Sequence, residues 1–226
     1  MGPGANITRI GLGTAQFGSH YGATNRHGQP SRKECENIIE TALEAGIEYF
    51  DTAAYYGEAD MILSSCLHRN MKVVTKIRNP NEANQSIDLF GDNLYAILSD
   101  RWKTDHIRSG ISVYWPQKIN PEAQLVQMPL NLADTRNLLL AAIYQARGVE
   151  VHARSVFLQG KLLEHATIRQ CLKFVLDQPV DVALVGVNSA DELKEIIEAV
   201  ETLDQEDEIP TINIHNRDPR EWNAHN

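Results

Sequence analysis

Asp51, Tyr56 and Lys76 are the residues of this chain whose types and spacing suit proton transfer. The stretch FDTAAYYGEAD, residues 50–60, ends an apolar run on Asp51 and sets two phenols, Tyr55 and Tyr56, just beyond it. The following apolar run, VVTK, ends on Lys76. A carboxylate at the end of a buried strand needs a partner, and an ammonium at the end of the next strand supplies one. A cation beside a phenol favours the phenolate and lowers its pKa. Tyr56 would then give its proton more readily to a carbonyl oxygen. The same three residues also fit a structural ion pair with two surface tyrosines, and spacing alone leaves both readings open.

Such residues act only if strands bring their ends together. Short apolar runs at 7–12, 47–51, 73–77, 107–113, 124–128, 149–154 and 182–187 read as strands. Helical patterns alternate with them at 31–45, 60–67, 92–102, 135–146, 168–177 and 190–203. The clearest helix starts at Ser31, where Ser31 and Glu34 have the spacing of a capping box, and stops at Gly46. Alternation of strand and helix implies an α/β fold with a parallel sheet. Gly11-Leu12-Gly13 does not complete a dinucleotide GxGxxG, because Phe17 holds the last glycine position. The open doubly wound sheet therefore loses ground to a TIM-type (β/α) barrel, whose functional side chains sit at strand ends. Asp51, Lys76, Ser112, Gln127, Ser155 and Asn188 all end strands.

Composition narrows the function classes. A formal charge of -9 argues against a nucleic-acid surface. Cys35, Cys66 and Cys171 have no CxxC spacing and read as reduced thiols, giving no metal site and no disulfide frame. No apolar run is long enough for a membrane span, and MGPGANITRIGLG lacks a signal-peptide core. A cytoplasmic protein of one domain, 1–226, with a polar tail from about residue 205 to 226, is expected.

Seven segments together resemble the aldo-keto reductases. They are IGLGTAQFG (10–18), GIEYFDTAAYYGEAD (46–60), VVTK (73–76), IRSGISVYWP (107–116), LVQMPLN (125–131), VEVHARSVFLQGKL (149–162) and VGVNSADEL (185–193). They follow the family's order across most of the chain. The resemblance implies NADP-dependent reduction of a small aldehyde or ketone on a (β/α) barrel. It makes Tyr56 the general acid, Lys76 its pKa-lowering partner and Asp51 the carboxylate that holds Lys76. Ser112 and Gln127 match residues that bind the nicotinamide carboxamide, while Val113 stands where many members have Asn. Arg154 replaces the aromatic ring that stacks on the nicotinamide in many members. Ser155, Phe157 and Gly160 match the loop around the pyrophosphate. Gly186, Asn188, Ser189 and Glu192 match the loop near the adenosine phosphate. That loop carries Asp191 and Glu192 but only Lys194 as a base, so NAD is not excluded.

The chain departs from the family between Lys76 and Ile107. That interval reads as one crossover instead of two βα units, and RNPNEANQSIDLFGD, 78–92, is polar and turn-rich. On this reading about seven strands remain where the fold wants eight, and the barrel is incomplete. Arg78 then stands where the family's fourth strand ends in a catalytic His. A non-catalytic nucleotide-binding or regulatory relative is the alternative function, and an abridged chain with no stable function a third. Among other histidines, His152 reads as an interior hydrogen-bonded residue, His20 as a candidate substrate contact, His106 as lying at the wrong barrel end, and His215 and His225 as tail residues. Tyr114 and Trp115 read as rim residues.

Overall fold

Eight parallel strands, hydrogen-bonded in chain order, close into a complete barrel. The computed structural model describes residues 4–101, 103, 107–203 and 208–212. The strands are β1 (Ile10–Gly13), β2 (Tyr49–Asp51), β3 (Lys72–Lys76), β4 (Leu94–Leu98), β5 (Arg108–Ser112), β6 (Leu125–Pro129), β7 (Glu150–Arg154) and β8 (Val182–Gly186). The helices, in chain order, are α1 (Gly4–Ile7), α2 (Ala15–Gly18), α3 (Arg32–Glu44), α4 (Ala59–Ser64), α5 (Pro80–Phe90), α6 (Leu138–Ala146), α7 (Ile168–Leu176) and α8 (Ala190–Glu201). The polar tail expected from about residue 205 lies largely outside the described residues.

The expected seven-stranded, incomplete barrel is corrected by β4 and α5. The segment read as irregular, 78–90, is mostly helix: Asn79 caps α5 by accepting from the Glu82 N–H at 3.1 Å, and Pro80 opens its first turn. Ala83, Ser86 and Phe90 recur at helical spacing and are buried. Gly91, at φ 49°, then turns the chain out of the helix. The segment read as a helix, 92–102, instead contains β4. Its five residues, LYAIL, pair with β3 through Lys76↔Leu98 and with β5 through Leu98↔Gly110. An apolar run that short fits a buried strand as well as a helix, so periodicity could not decide it.

What the chain abridges is helix, not strand. No helix lies between β5 and β6, and none among the described residues between β4 and β5. Between β5 and β6 a loop covers the flank, with Ile119 and Ala123 packed into the outer core.

Two cores result from the alternation of side chains along each strand. The larger one lies between the sheet and the helices and includes Phe17, Ile38, Phe50, Leu63, Val126 and Leu172. The smaller one, Val74, Ala96, Leu98 and Leu125, fills the barrel itself. Gly110 makes that filling possible: a Cβ there would meet the carbonyl of Leu125 and the side chain of Leu98. Towards the strand N-terminal ends the barrel holds a polar group. Glu150 accepts from Tyr95 at 2.7 Å and Arg108 at 3.0 Å, and its other oxygen bonds the ring of His152 at 2.8 Å. His152 is fully buried there, edge-on to Tyr49, as an interior histidine.

Candidate active site

β2 and β3 are neighbours, so their C-terminal ends deliver Asp51 and Lys76 side by side. Both are buried, at 7 % and 6 % exposure. The Lys76 ammonium donates to both Asp51 oxygens, at 2.6 and 2.7 Å, and to the Thr52 carbonyl at 3.1 Å. An ammonium has three N–H donors, and all three are thereby placed. Gln127, fully buried on β6, donates its amide to Asp51 at 2.6 Å and accepts from Ser112 at 3.3 Å. Carboxylate, ammonium, amide and hydroxyl thus form one chain of hydrogen bonds across β2, β3, β5 and β6. Thr52 also donates to Asp60, which burial holds above the usual carboxylate range.

Tyr56 comes from the loop after β2 and packs over this pair, with the Lys76 nitrogen 5.4 Å from its ring centroid. The loop's position is set by two glycines. A Cβ on Gly18 would fall on the Tyr56 carbonyl oxygen, and one on Gly57, at φ 56°, would strike the Gly18 carbonyl. The expected lowering of the Tyr56 pKa by Lys76 is not what the structure gives. Burial, joined by the Asp51 charge, pushes the phenol up instead, and only Arg154 among its neighbours pulls it down. The physical reason is that the phenol is taken out of water, with the negative charge of Asp51 adding to that effect.

These residues border a cavity of about 580 Å³, within the usual range for small-molecule sites. Asp51, Tyr56 and Lys76 line it, as do Ser112, Arg154, Ser155, Phe157, Gly160, Gly186, Asn188 and Glu192. Gln127 lies behind this wall, and Ser189 is turned to its helix, where its hydroxyl accepts from the Glu192 N–H at 3.2 Å. Arg154 is held by the Val113 carbonyl at 3.0 Å, with its guanidinium stacked 4.0 Å from the Tyr114 ring centroid. The loop after β7 takes left-handed backbone at Ser155, Leu158, Gln159 and Gly160. A Cβ on Gly160 would collide with Thr24, so this loop and the one after β1 meet at a glycine.

The fourth strand ends in the cavity wall at Leu98, followed by Ser99 and Asp100. Leu98, not Arg78, therefore occupies the position at which the family's catalytic His was expected. Arg78 precedes α5, pairs with Glu82 at 3.0 Å and lies over the Tyr55 ring, outside the cavity lining. His20 bonds the Asn25 carbonyl outside the lining as well, while the neighbouring His27 is part of it. Tyr114 lines the cavity; Trp115 does not, and it stays half exposed with the Arg136 guanidinium 3.8 Å from its ring centroid. His106, His215 and His225 lie outside the described residues.

The sequence reading missed Gln16, Tyr21, Asn25, Arg26 and Leu98 in the wall. Gln16 had a signal: the IGLGTAQFG segment places it just beyond β1, and its amide lies against Gly186, where a Cβ would strike it. It also took Ser31 and Glu34 as a capping box. Ser31 does accept from the Glu34 N–H at 3.2 Å, but the Glu34 carboxylate crosses to α8 and accepts from the Ala190 N–H at 2.7 Å.

The aldo/keto reductase family model matches residues 9–111, which span β1 to β5 and include Asp51, Tyr56 and Lys76. The chain resembles the aldo-keto reductases in sequence and in fold. A Pseudomonas aeruginosa protein assigned to the aldo-keto reductases is 18% identical, with a TM-score of 0.71 over 86% of this chain and 90% of that one. The holo form of an aldo-keto reductase from Bacillus halodurans is 16% identical, with a TM-score of 0.63 over 85% and 86%. A Klebsiella pneumoniae aldo/keto reductase in complex with NADP and acetate is 17% identical, with a TM-score of 0.61 over 85% of each chain. At these identities the structural likeness carries the aldo-keto reductase fold. No curated protein matches the chain in sequence. Among the described residues, no helix is long and apolar enough to cross a membrane.

Proposed function

We propose that this protein reduces a small aldehyde or ketone to an alcohol with a nicotinamide dinucleotide, and that Tyr56 is the proton donor. The observation that carries this reading is the Tyr56 phenol beside the buried Asp51–Lys76 pair, in the wall of a cavity that continues to Gly186 and Glu192. When bound, the dinucleotide supplies the hydride that reaches the carbonyl carbon. Ser112, Arg154, Ser155, Phe157, Gly160, Gly186 and Asn188, which line the cavity, are the residues that would hold it. Ser189 and Glu192 fix the entrance to α8 beside it.

Tyr56 must be protonated to act as an acid, and burial secures that form through neutral pH. Charge building on a carbonyl oxygen beside Tyr56 draws the phenolic proton, and Arg154, the neighbour whose charge favours the phenolate, eases that step. Asp51 and Gln127 hold Lys76 in place. The test is dinucleotide oxidation with a panel of aldehydes. Tyr56→Phe removes one oxygen and leaves the ring, so turnover falls by about 10²–10⁴ while dinucleotide binding persists. Equal turnover by Tyr56→Phe rules out Tyr56 as the donor.

A second reading, a nucleotide-binding protein without turnover, is favoured by one specific observation. Leu98 places an apolar side chain at the end of β4, where the family offers a second hydrogen-bond donor. Tight dinucleotide binding with no turnover across the panel would establish this reading over the first.

A further inference from the structure

The start of α8 lies two strands from Asp51 around the barrel mouth, since Gly186 of β8 is registered with Gly13 of β1, and Gly13 with Asp51. A helix start with free N–H groups favours a phosphate. Here two carboxylates take up N–H groups at and just before that start. The Asn188 N–H and side-chain amide donate to Glu192 at 2.7 and 3.3 Å. The Ala190 N–H donates to Glu34, reaching across from α3, at 2.7 Å. Glu34 is itself steadied by the Asn37 amide at 3.4 Å. The Glu192 N–H is taken by Ser189.

The local charges point the same way. Asp191 adds a third carboxylate, and Lys194, the one cation in the first turns of α8, is held by Asp191 at 2.9 Å. The cations that line the cavity sit on other elements: Arg26 on the loop before α3, Lys76 on β3 and Arg154 on β7. None of the three belongs to α8, and Lys76 is taken up by Asp51. A ribose 2′-phosphate placed here would face carboxylates. A ribose diol would instead find in Glu192, which lines the cavity, an acceptor for its hydroxyls.

We propose that Glu34 and Glu192 close the α8 N-terminus to a 2′-phosphate and select NADH over NADPH. This rests on the reading of the cavity as a nicotinamide-dinucleotide site. The residues of this loop do not fit the phosphorylated cofactor that the family resemblance implies.

Equilibrium binding to the purified full chain tests it, by calorimetry with NADH and NADPH and, for the adenosine half alone, ADP and 2′-phospho-ADP. The expected result is Kd at least tenfold lower for NADH, with the same order for the two adenosine probes. The double variant Glu34→Gln/Glu192→Gln keeps an acceptor oxygen on each side chain and removes both charges. It should narrow the gap several-fold, chiefly by tightening NADPH, with its fold checked by circular dichroism. NADPH bound as tightly as NADH by the parent overturns the selection while leaving the cavity reading intact. An unchanged gap in a folded double variant overturns the role of the two glutamates. Binding of neither dinucleotide overturns both the selection and the cavity reading.

Discussion

Lys76→Met separates the structural from the chemical work of the buried pair. Methionine keeps all but the last atom of the side chain's length and removes its charge, so Asp51, 7 % exposed, loses both ammonium contacts. One hydrogen bond to its carboxylate is left, from Gln127 at 2.6 Å. Stranding a buried charge in this way costs about 3–5 kcal/mol. For a domain of this size each kcal/mol moves Tm by about 2–4 °C, so the variant should melt about 6–20 °C below the parent. The companion Asp51→Asn/Lys76→Met removes the stranded charge yet keeps an oxygen for Gln127. It should recover at least half of the loss, although it too lacks the ammonium. Thermal melts by circular dichroism at neutral pH give both numbers, and turnover is read on the same samples. Turnover should fall in the single variant whatever its Tm, because the unpaired Asp51 charge then opposes a Tyr56 phenolate, and should recover in part in the double variant. A single variant within about 2 °C of the parent, or a double variant no more stable than the single, would show that Asp51 is not desolvated as described.

Other consequences can be measured directly. Because burial holds the Tyr56 phenol up, the alkaline difference spectrum of parent minus Tyr56→Phe should show no phenolate below about pH 10; a phenolate near neutral pH would contradict the hydrogen bonds of Lys76. At the other barrel end Glu150 is held below the usual carboxylate range: burial pulls it up, but bonds from His152 and Tyr95 and the Arg108 charge outweigh that. A depressed carboxylate stabilises the fold above its unfolded pKa and loses that contribution as pH falls through its folded one. The parent should thus out-melt Glu150→Gln at neutral pH, with the advantage fading below about pH 4; a constant gap from pH 7 down to about 3 would refute it. Leu98→His should raise turnover if a second donor at the end of β4 is what the site lacks, and unchanged kcat in a folded, dinucleotide-binding variant would refute that.

The parts of this protein that could be read from its sequence are those whose determinants are local. Seven strands announce themselves as β-branched or apolar runs, and strand ends in a parallel barrel are neighbours by topology, so Asp51 and Lys76 could be paired on paper. β4 was hidden because LYAIL is as compatible with a helix turn as with a strand, and α5 because its apolar face is sparse: Ala83, Ser86 and Phe90. Losing β4 displaced every inference that depended on counting strands, which is how Arg78 came to stand for Leu98. The two electrostatic surprises have a different origin. Whether Lys76 has a donor to spare for Tyr56 depends on the Thr52 carbonyl, and whether Glu34 caps its own helix or another depends on a contact 156 residues away. Neither leaves a local trace.

The meeting of Gly18 with the Tyr56 backbone sets how the phenol responds to its surroundings. A contact between main-chain atoms with no side chain between them behaves as a hard stop, not a spring, because neither partner has a rotamer to yield. The Tyr56 main chain is thus located by steric exclusion from the end of α2, which carries none of the proposed chemistry. Activity at this site should be insensitive to modest warming and to crowding of the outer loops, then fail at once when the two glycines separate. Variation at position 18, seemingly remote from any reacting group, acts as directly on the placement of the phenolic oxygen as variation at position 56 does on its existence.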